Sequence, residues 1–425
     1  MIATLLAATL PLSMVGVAHA QTDPVTTEDP AEAAAGWLTT RLGDDLILQT
    51  GFGPSMGATI DAVLSFDAAG VAGDVSTDVA AAIAAGAAGY ASFADEEDAE
   101  ITTWQAGPLG KLLVVANARP ELDPTNLGGV DAVAELQGIE CTEGRDNCDS
   151  DDLGAFKGLG AGAADAVSTF TQAFAIIGLV AAGATPSDDA IAFLTAQACD
   201  DGGYAFGLRT DDGECSSAAD TTGLVAQALL ATGDAAQDAI DWLLTNQDDS
   251  GGFVGFAGVD ASTTAFPVMA LLAAGETAAA TAGIEAIAEL QAGCDAPADL
   301  VGAIYYNEPD EDGETAADDT FATAQAAPAL AGQHLLEISG VGSSSDVPVL
   351  ACATDEAVDE PVDEVEQDTP ADDNSTEEAD DTAAADADIL PETGTTTLWL
   401  ALAGLSLLLL GAGVLRVRRT SSPNA

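Results

Sequence analysis

Basic residues are scarce in this chain: 9 Lys and Arg stand against 71 Asp and Glu, for a formal net charge of −62. Within residues 21–350, 54 acidic side chains face 6 basic ones, a net charge near −48. A surface this negative repels phosphate backbones and anionic polymers, which excludes nucleic acid as a partner. Cations, neutral ligands and basic peptides remain. Histidine is scarcer still, with only His19 and His334. A zinc centre built from Asp, Cys and His therefore lacks donors, and a Ser-His-Asp arrangement lacks its base. Aromatic residues make up 5% of the chain, little π-surface to stabilise a cationic intermediate.

What the chain does have is a repeat. From Ala235 an amphipathic stretch carries Ile240, Trp242, Leu243 and Leu244 at helical spacing and stops at Gln247, before Asp248-Asp249-Ser250-Gly251-Gly252. After Phe253 and a glycine-containing loop, Asp260 or Ser262 caps a second helix that runs through Leu272 to Gly275. The same grammar runs from Asp188 to Gly233. Helix pairs at such a period mark an array, because one pair cannot bury its own apolar face. Weaker copies place first helices near 33–37, 75–79, 130–137 and 284–291, and second helices near 56–66, 101–116, 166–179 and 320–334. Six pairs make twelve helices. Small residues such as those of Gly223-Leu-Val-Ala-Gln-Ala-Leu229 suit the second helix of each pair to close packing, so these helices are expected inside.

Gln247-Asp-Asp-Ser-Gly-Gly-Phe253 and Gln197-Ala-Cys-Asp-Asp-Gly-Gly-Tyr204 resemble the repeats of terpenoid cyclases, protein prenyltransferase β-subunits and the α-domains of cobalamin carriers. The resemblance is strong over 187–275 and diffuse elsewhere between 33 and 336. It implies an all-α fold, an α6/α6 toroid over residues 33–350. The scaffold hosts unrelated chemistries, so it leaves function open.

The two ends carry addresses. Residues 1–20 form an apolar run ending Ala18-His19-Ala20, a secretory signal that lacks only a basic start; 21–32 is a linker. Residues 351–388 hold 16 acidic and no basic residues and form a disordered stalk. Leu390-Pro391-Glu392-Thr393-Gly394, an apolar run at 398–415 of membrane-spanning length, and Arg416, Arg418 and Arg419 resemble the sorting signal of Gram-positive surface proteins. That resemblance implies a sortase joining Thr393 to peptidoglycan, and a secreted, wall-anchored product held by the membrane helix only before sorting. Six cysteines in an exported chain fit disulfides, and proximity favours Cys141–Cys148, Cys199–Cys215 and, by remainder, Cys294–Cys352.

Polar residues at the inner-helix starts are the ligand candidates: Thr103, Thr169, Gln172, Asp220, Thr222, Gln227, Asp260, Thr264, Asp319 and Thr320. Such a ring suits a ligand rich in amides or hydroxyls. The cobalamin-carrier resemblance implies a corrinoid or another amphipathic ligand, although the second domain that closes over it there has no counterpart here. For single Asp and Thr residues the plainer role is an N-cap. Asp149-Ser150-Asp151-Asp152 has the letters of the acid motif of class II terpene cyclases, but it follows Cys148 in an acidic loop, whereas a proton donor needs burial. Asp310, Asp312 and Glu314 place oxygens at alternate positions, as a calcium loop does, without the full ligand pattern. The chain reads as a wall-anchored toroid acting as a non-catalytic binding or interaction module, with no required cofactor. The alternatives are a terpenoid-cyclase-like enzyme and a structural or adhesive wall protein.

Overall fold

The computed structural model describes residues 25–94, 102–159, 167–209, 215–310 and 313–352. The signal segment 1–20, the stalk beyond Cys352, Leu390–Gly394, the apolar run 398–415 and Asp312 lie outside the described residues.

Twelve α-helices alternate along the described chain: α1 (Pro30–Thr39), α2 (Met56–Ala69), α3 (Gly73–Ala91), α4 (Ala106–Ala118), α5 (Ala132–Gly138), α6 (Thr169–Ala181), α7 (Asp188–Thr195), α8 (Ala219–Thr232), α9 (Gln237–Asn246), α10 (Ala261–Ala274), α11 (Thr277–Glu289) and α12 (Asp319–Leu330). The even-numbered helices pack α2 on α4, α4 on α6, and so on to α10 on α12, and α12 returns to α2. That last contact closes the ring. Burial separates the two sets as their sequences demand. In α2 every residue from Gly57 to Ala68 is buried, whereas α9 buries only the stripe Ala239, Ile240 and Leu243.

The inner helices meet backbone to backbone at glycines. A Cβ on Gly178 would lie 2.7 Å from the Gly110 Cα, and one on Gly223 would lie 2.4 Å from the Pro267 nitrogen. The Gly-Gly turns lock each repeat to the next. Gly251, at φ +88°, sits where a Cβ would come within 2.3 Å of the Ala282 carbonyl oxygen on α11. The Gln247 amide donates to the Gly251 and Ala279 carbonyls, and Gln291 repeats this with Gly302 and, across the seam, Pro30 of α1. Gln291 thus ties the last repeat to the first.

The outer-to-inner connections share one end of the ring, here called the mouth. Three carry short antiparallel hairpins that an all-helical reading does not foresee: β2 (Gln49–Thr50) with β3 (Gly53–Pro54), β4 (Ser92–Ala94) with β5 (Thr102–Trp104), and β6 (Val254–Gly255) with β7 (Gly258–Val259). The opposite end is plugged by the segment after α12, whose Leu335 and Ile338 are buried and whose Gly340 N–H donates to the Ala118 carbonyl. The chain then runs past α1 and pairs β8 (Val349–Leu350) with β1 (Thr26–Thr27) in parallel. The structure joins Cys141 to Cys148, Cys199 to Cys215 and Cys294 to Cys352.

Candidate functional site at the mouth

At the mouth the starts of α8, α10 and α12 stand side by side. Asp260 caps α10: its Oδ1 accepts the Thr263 N–H at 2.7 Å. The connection from α11 delivers Tyr306, whose N–H donates to Asp319 Oδ1 at 2.7 Å and whose carbonyl accepts the Ala261 N–H at 2.8 Å. One residue therefore bridges α10 and α12, and its ring lies beside Asp260. Asp220, in the first turn of α8, accepts the Thr221 N–H at 2.6 Å.

The electrostatics of this group follow from burial. Asp260 is fully buried, and its Oδ2 has no partner within ordinary hydrogen-bond distance; the Tyr306 hydroxyl beside it supplies a longer hydrogen-bonding interaction with the carboxyl. Desolvation pushes Asp260 up to about 6, the bonds from Thr263 and the Tyr306 hydroxyl oppose this, and the nearby Asp220 charge adds to it. Asp220 and Asp319 are likewise raised, first by burial. Burial also raises Tyr306, and the charges of Asp260 and Asp220 add to it. The mouth is thus a set of crowded acceptors suited to a ligand that brings donors or positive charge.

Beneath the mouth the ring is filled by aromatic side chains. Phe170 of α6 meets Phe174 at 5.2 Å, Phe206 at 5.4 Å and Phe266 of α10 at 5.7 Å, centroid to centroid. Deeper in, Lys111 of α4 pairs with Asp61 of α2 at 2.7 Å and lies 5.7 Å from the Phe174 centroid. The Tyr90 hydroxyl is buried without a partner, and the Asp61 charge adds to the burial that raises it. Neither Lys111 nor Tyr306 was singled out from sequence. A lysine within the apolar run Ala106-Gly-Pro-Leu-Gly-Lys111-Leu-Leu was a readable signal, since such a helix leaves its charge no route to water.

Most of the predicted lining residues serve the chain itself. The Phe253 N–H donates to Thr264 Oγ1 at 3.0 Å, the Tyr204 N–H to Thr222 Oγ1 at 2.9 Å, and the Phe156 N–H to Gln172 Oε1 at 2.9 Å. Thr59 and Thr323 repeat this bond with Leu48 and Ile304. The fourth residue of four inner helices, and the fifth of α12, thus holds the turn before it. Gln172 spends its amide on the Gly154 and Ala190 carbonyls, Thr169 donates to Gly207, and mid-helix Gln227 donates to the Gly223 and Phe266 carbonyls while accepting from Leu335 N–H. Thr103 sits in β5 rather than at a helix start, because α4 begins at Ala106; its hydroxyl donates to the Leu159 carbonyl. Thr320 is nearly buried. Of the ten candidates, Asp220 and Asp260 come together, and Asp319 supports Tyr306 beside them.

The Asp149–Asp152 stretch forms an exposed 3₁₀ turn in which Asp152 caps the Asp149 N–H and pairs with Lys157 at 2.8 Å. Despite some burial, those bonds hold the Asp152 carboxyl below its ordinary value, the opposite of what a proton donor needs. Asp310 and Glu314 close a turn on each other, with the Glu314 N–H donating to Asp310 Oδ1 at 3.0 Å. Among the described residues no cluster of three or more His, Cys, Asp or Glu could hold a metal ion. No helix among them is long and apolar enough to cross a membrane.

No protein-family model and no curated protein matches this chain. Similar solved structures include a glycosidase variant in complex with glucose, at 16% identity and TM-score 0.47 over 73% of this chain and 97% of that one. A type II terpene cyclase from Scytonema reaches 17% identity and TM-score 0.46 over 71% and 96%, and a protein from Actinoplanes reaches 14% and 0.46 over 72% and 98%. In each case the match spans nearly the whole of the neighbour.

Proposed function

We propose that this chain is an exported, wall-held binding module whose toroid takes a hydrogen-bond-donating or cationic ligand at the mouth, between Asp220, Asp260 and Tyr306. The observation that carries this reading is the pair of neighbouring carboxylates at the mouth, the buried Asp260 and the partly exposed Asp220, whose charge raises Asp260. A cation or donor held at Asp220 would offset the repulsion between the two carboxylates. The aromatic filling limits such a ligand to the mouth. A corrinoid, whose amides both donate and accept, would meet acceptors almost exclusively, so an amine or polyol suits the site better.

Display at the wall rests on Leu390–Gly394 with its apolar run and arginines, and three disulfides suit an oxidising compartment. Two measurements test the reading. Muramidase-released protein should end at Thr393 joined to a wall fragment; a chain still carrying Arg416 would remove the anchoring half. In native mass spectrometry and calorimetry, small diamines and polyols should bind the full-length chain and lose about tenfold affinity in Asp220→Asn. Equal affinity in that variant would remove the mouth.

A further inference from the structure

The mouth has a rim, and the rim is apolar. Ten large apolar side chains remain exposed among the described residues, and six of them sit in the outer-to-inner connections: Phe52, Phe93, Leu153, Leu159, Val254 and Phe256. The most exposed of these are Phe256 at 72% and Phe52 at 60%. Large apolar groups held in water at one end of a molecule mark a contact surface rather than a stability device. Phe52, Phe93, Val254 and Phe256 are also placed by short hairpins, which hold a tip more firmly than an open loop does.

Two of those tips flank the acidic centre. Phe256 crowns the β6–β7 hairpin, whose Gly255 lies directly over Asp260: a Cβ there would come within 2.0 Å of Oδ2. Phe52 crowns the β2–β3 hairpin, which is pinned to the start of α12 by the Gly51 N–H donating to Asp318 Oδ2 at 2.7 Å. The β4–β5 hairpin, with Phe93, joins the Leu159 segment through Thr103. Acidic side chains fill the same connections, Asp248, Asp249, Asp299 and Glu308 among them. Four basic ones share them: Lys157 pairs with Asp152, Arg209 with Asp200, Arg41 donates to the Asp299 carbonyl and Arg145 donates to Cys148 Sγ.

An apolar rim around a negative centre fits a partner with the reverse pattern. We infer that the mouth docks a cationic amphipathic peptide segment, its lysines and arginines directed at Asp220 and the acidic connections around it and its apolar face laid on Phe52, Phe256 and Val254. Charge complementarity selects this occupant. A net charge near −48 over residues 21–350 repels anionic lipid and anionic polymers, and a neutral glycan would gain nothing from the charge. This inference rests on the mouth being the binding site, and it adds the class of partner.

The experiment uses the full-length chain with its disulfides intact and a fluorescent synthetic Leu–Lys amphipathic helix, followed by anisotropy. Saturable binding should weaken about tenfold in the double variant Phe52→Ser, Phe256→Ser, and weaken steeply with salt. Val341→Ser, an exposed apolar site at the opposite end, should change nothing, and matching melting curves would show that the tip variants still fold. Oligolysine binding as tightly as the amphipathic helix, or full binding by the tip variant, overturns the inference. A neutral polysaccharide competing the peptide off the tips overturns the partner class. Diamine binding that depends on Asp220 without any peptide binding sinks this inference and spares the mouth as a site; loss of both sinks the two together.

Discussion

At Asp260 two demands fall on one carboxyl: capping α10 favours its charge, and complete burial opposes it. Burial wins, so its value rises from 3.8 to about 6. The folded chain then holds an extra proton between those values. Stability falls as pH climbs through that window, and above it the full cost, about 3 kcal/mol at most, is present. Asp260→Asn keeps the cap acceptor and carries no charge. Its melting temperature should exceed that of the parent at pH 8 and match it at pH 4; an equal gain at both would show that burial of the charge is not the cause. Thr264 is the contrasting case, because its hydroxyl satisfies the buried Phe253 N–H. Thr264→Val should cost about 1–3 kcal/mol in urea melts and leave mouth binding unchanged. From sequence the two residues looked alike, as polar groups near one helix start. Which way a side chain points depends on the turn folded against it, and that contact is not written in the helix.

At the scale of elements, the turns were the most readable feature. Gln247 followed by Gly251-Gly252 and Gln197 followed by Gly202-Gly203 mark where one helix stops, because few residues other than glycine accept the backbone that the turn requires. Gly233 and Gly275 likewise stand at the left-handed ends of α8 and α10, as expected of stop glycines. The start of α4 was less readable. Thr102-Thr103-Trp104 are β-favouring residues, and they extend the connection as a hairpin where helical spacing alone suggested a helix from 101. Gly251→Ala offers a direct check, since the new methyl meets both a positive φ and the Ala282 carbonyl oxygen. A loss of at least about 2 kcal/mol is expected, with α9 and α11 separating first in hydrogen exchange. An unchanged protein would mean that neighbouring repeats do not need this close approach.

Taken whole, the ring carries a charge that works against its own compactness. The surplus over residues 21–350 repels itself, and dissolved ions screen that repulsion over about 30 Å at 0.01 M and about 3 Å at 1 M. The melting temperature should therefore climb with sodium chloride across that range; a flat profile would show that the carboxylates are spaced too widely to matter. Removing the Cys294–Cys352 bond, which spans 58 residues, should cost about 4 kcal/mol on a chain-entropy reckoning. That bond has a mechanical side as well. Tension applied beyond Cys352 divides there between the sulfur link to Cys294 and the backbone running into β8, which is itself paired to β1. A tug on the tail would therefore load the α11–α12 rim and the β1–β8 pair ahead of the plug under the ring.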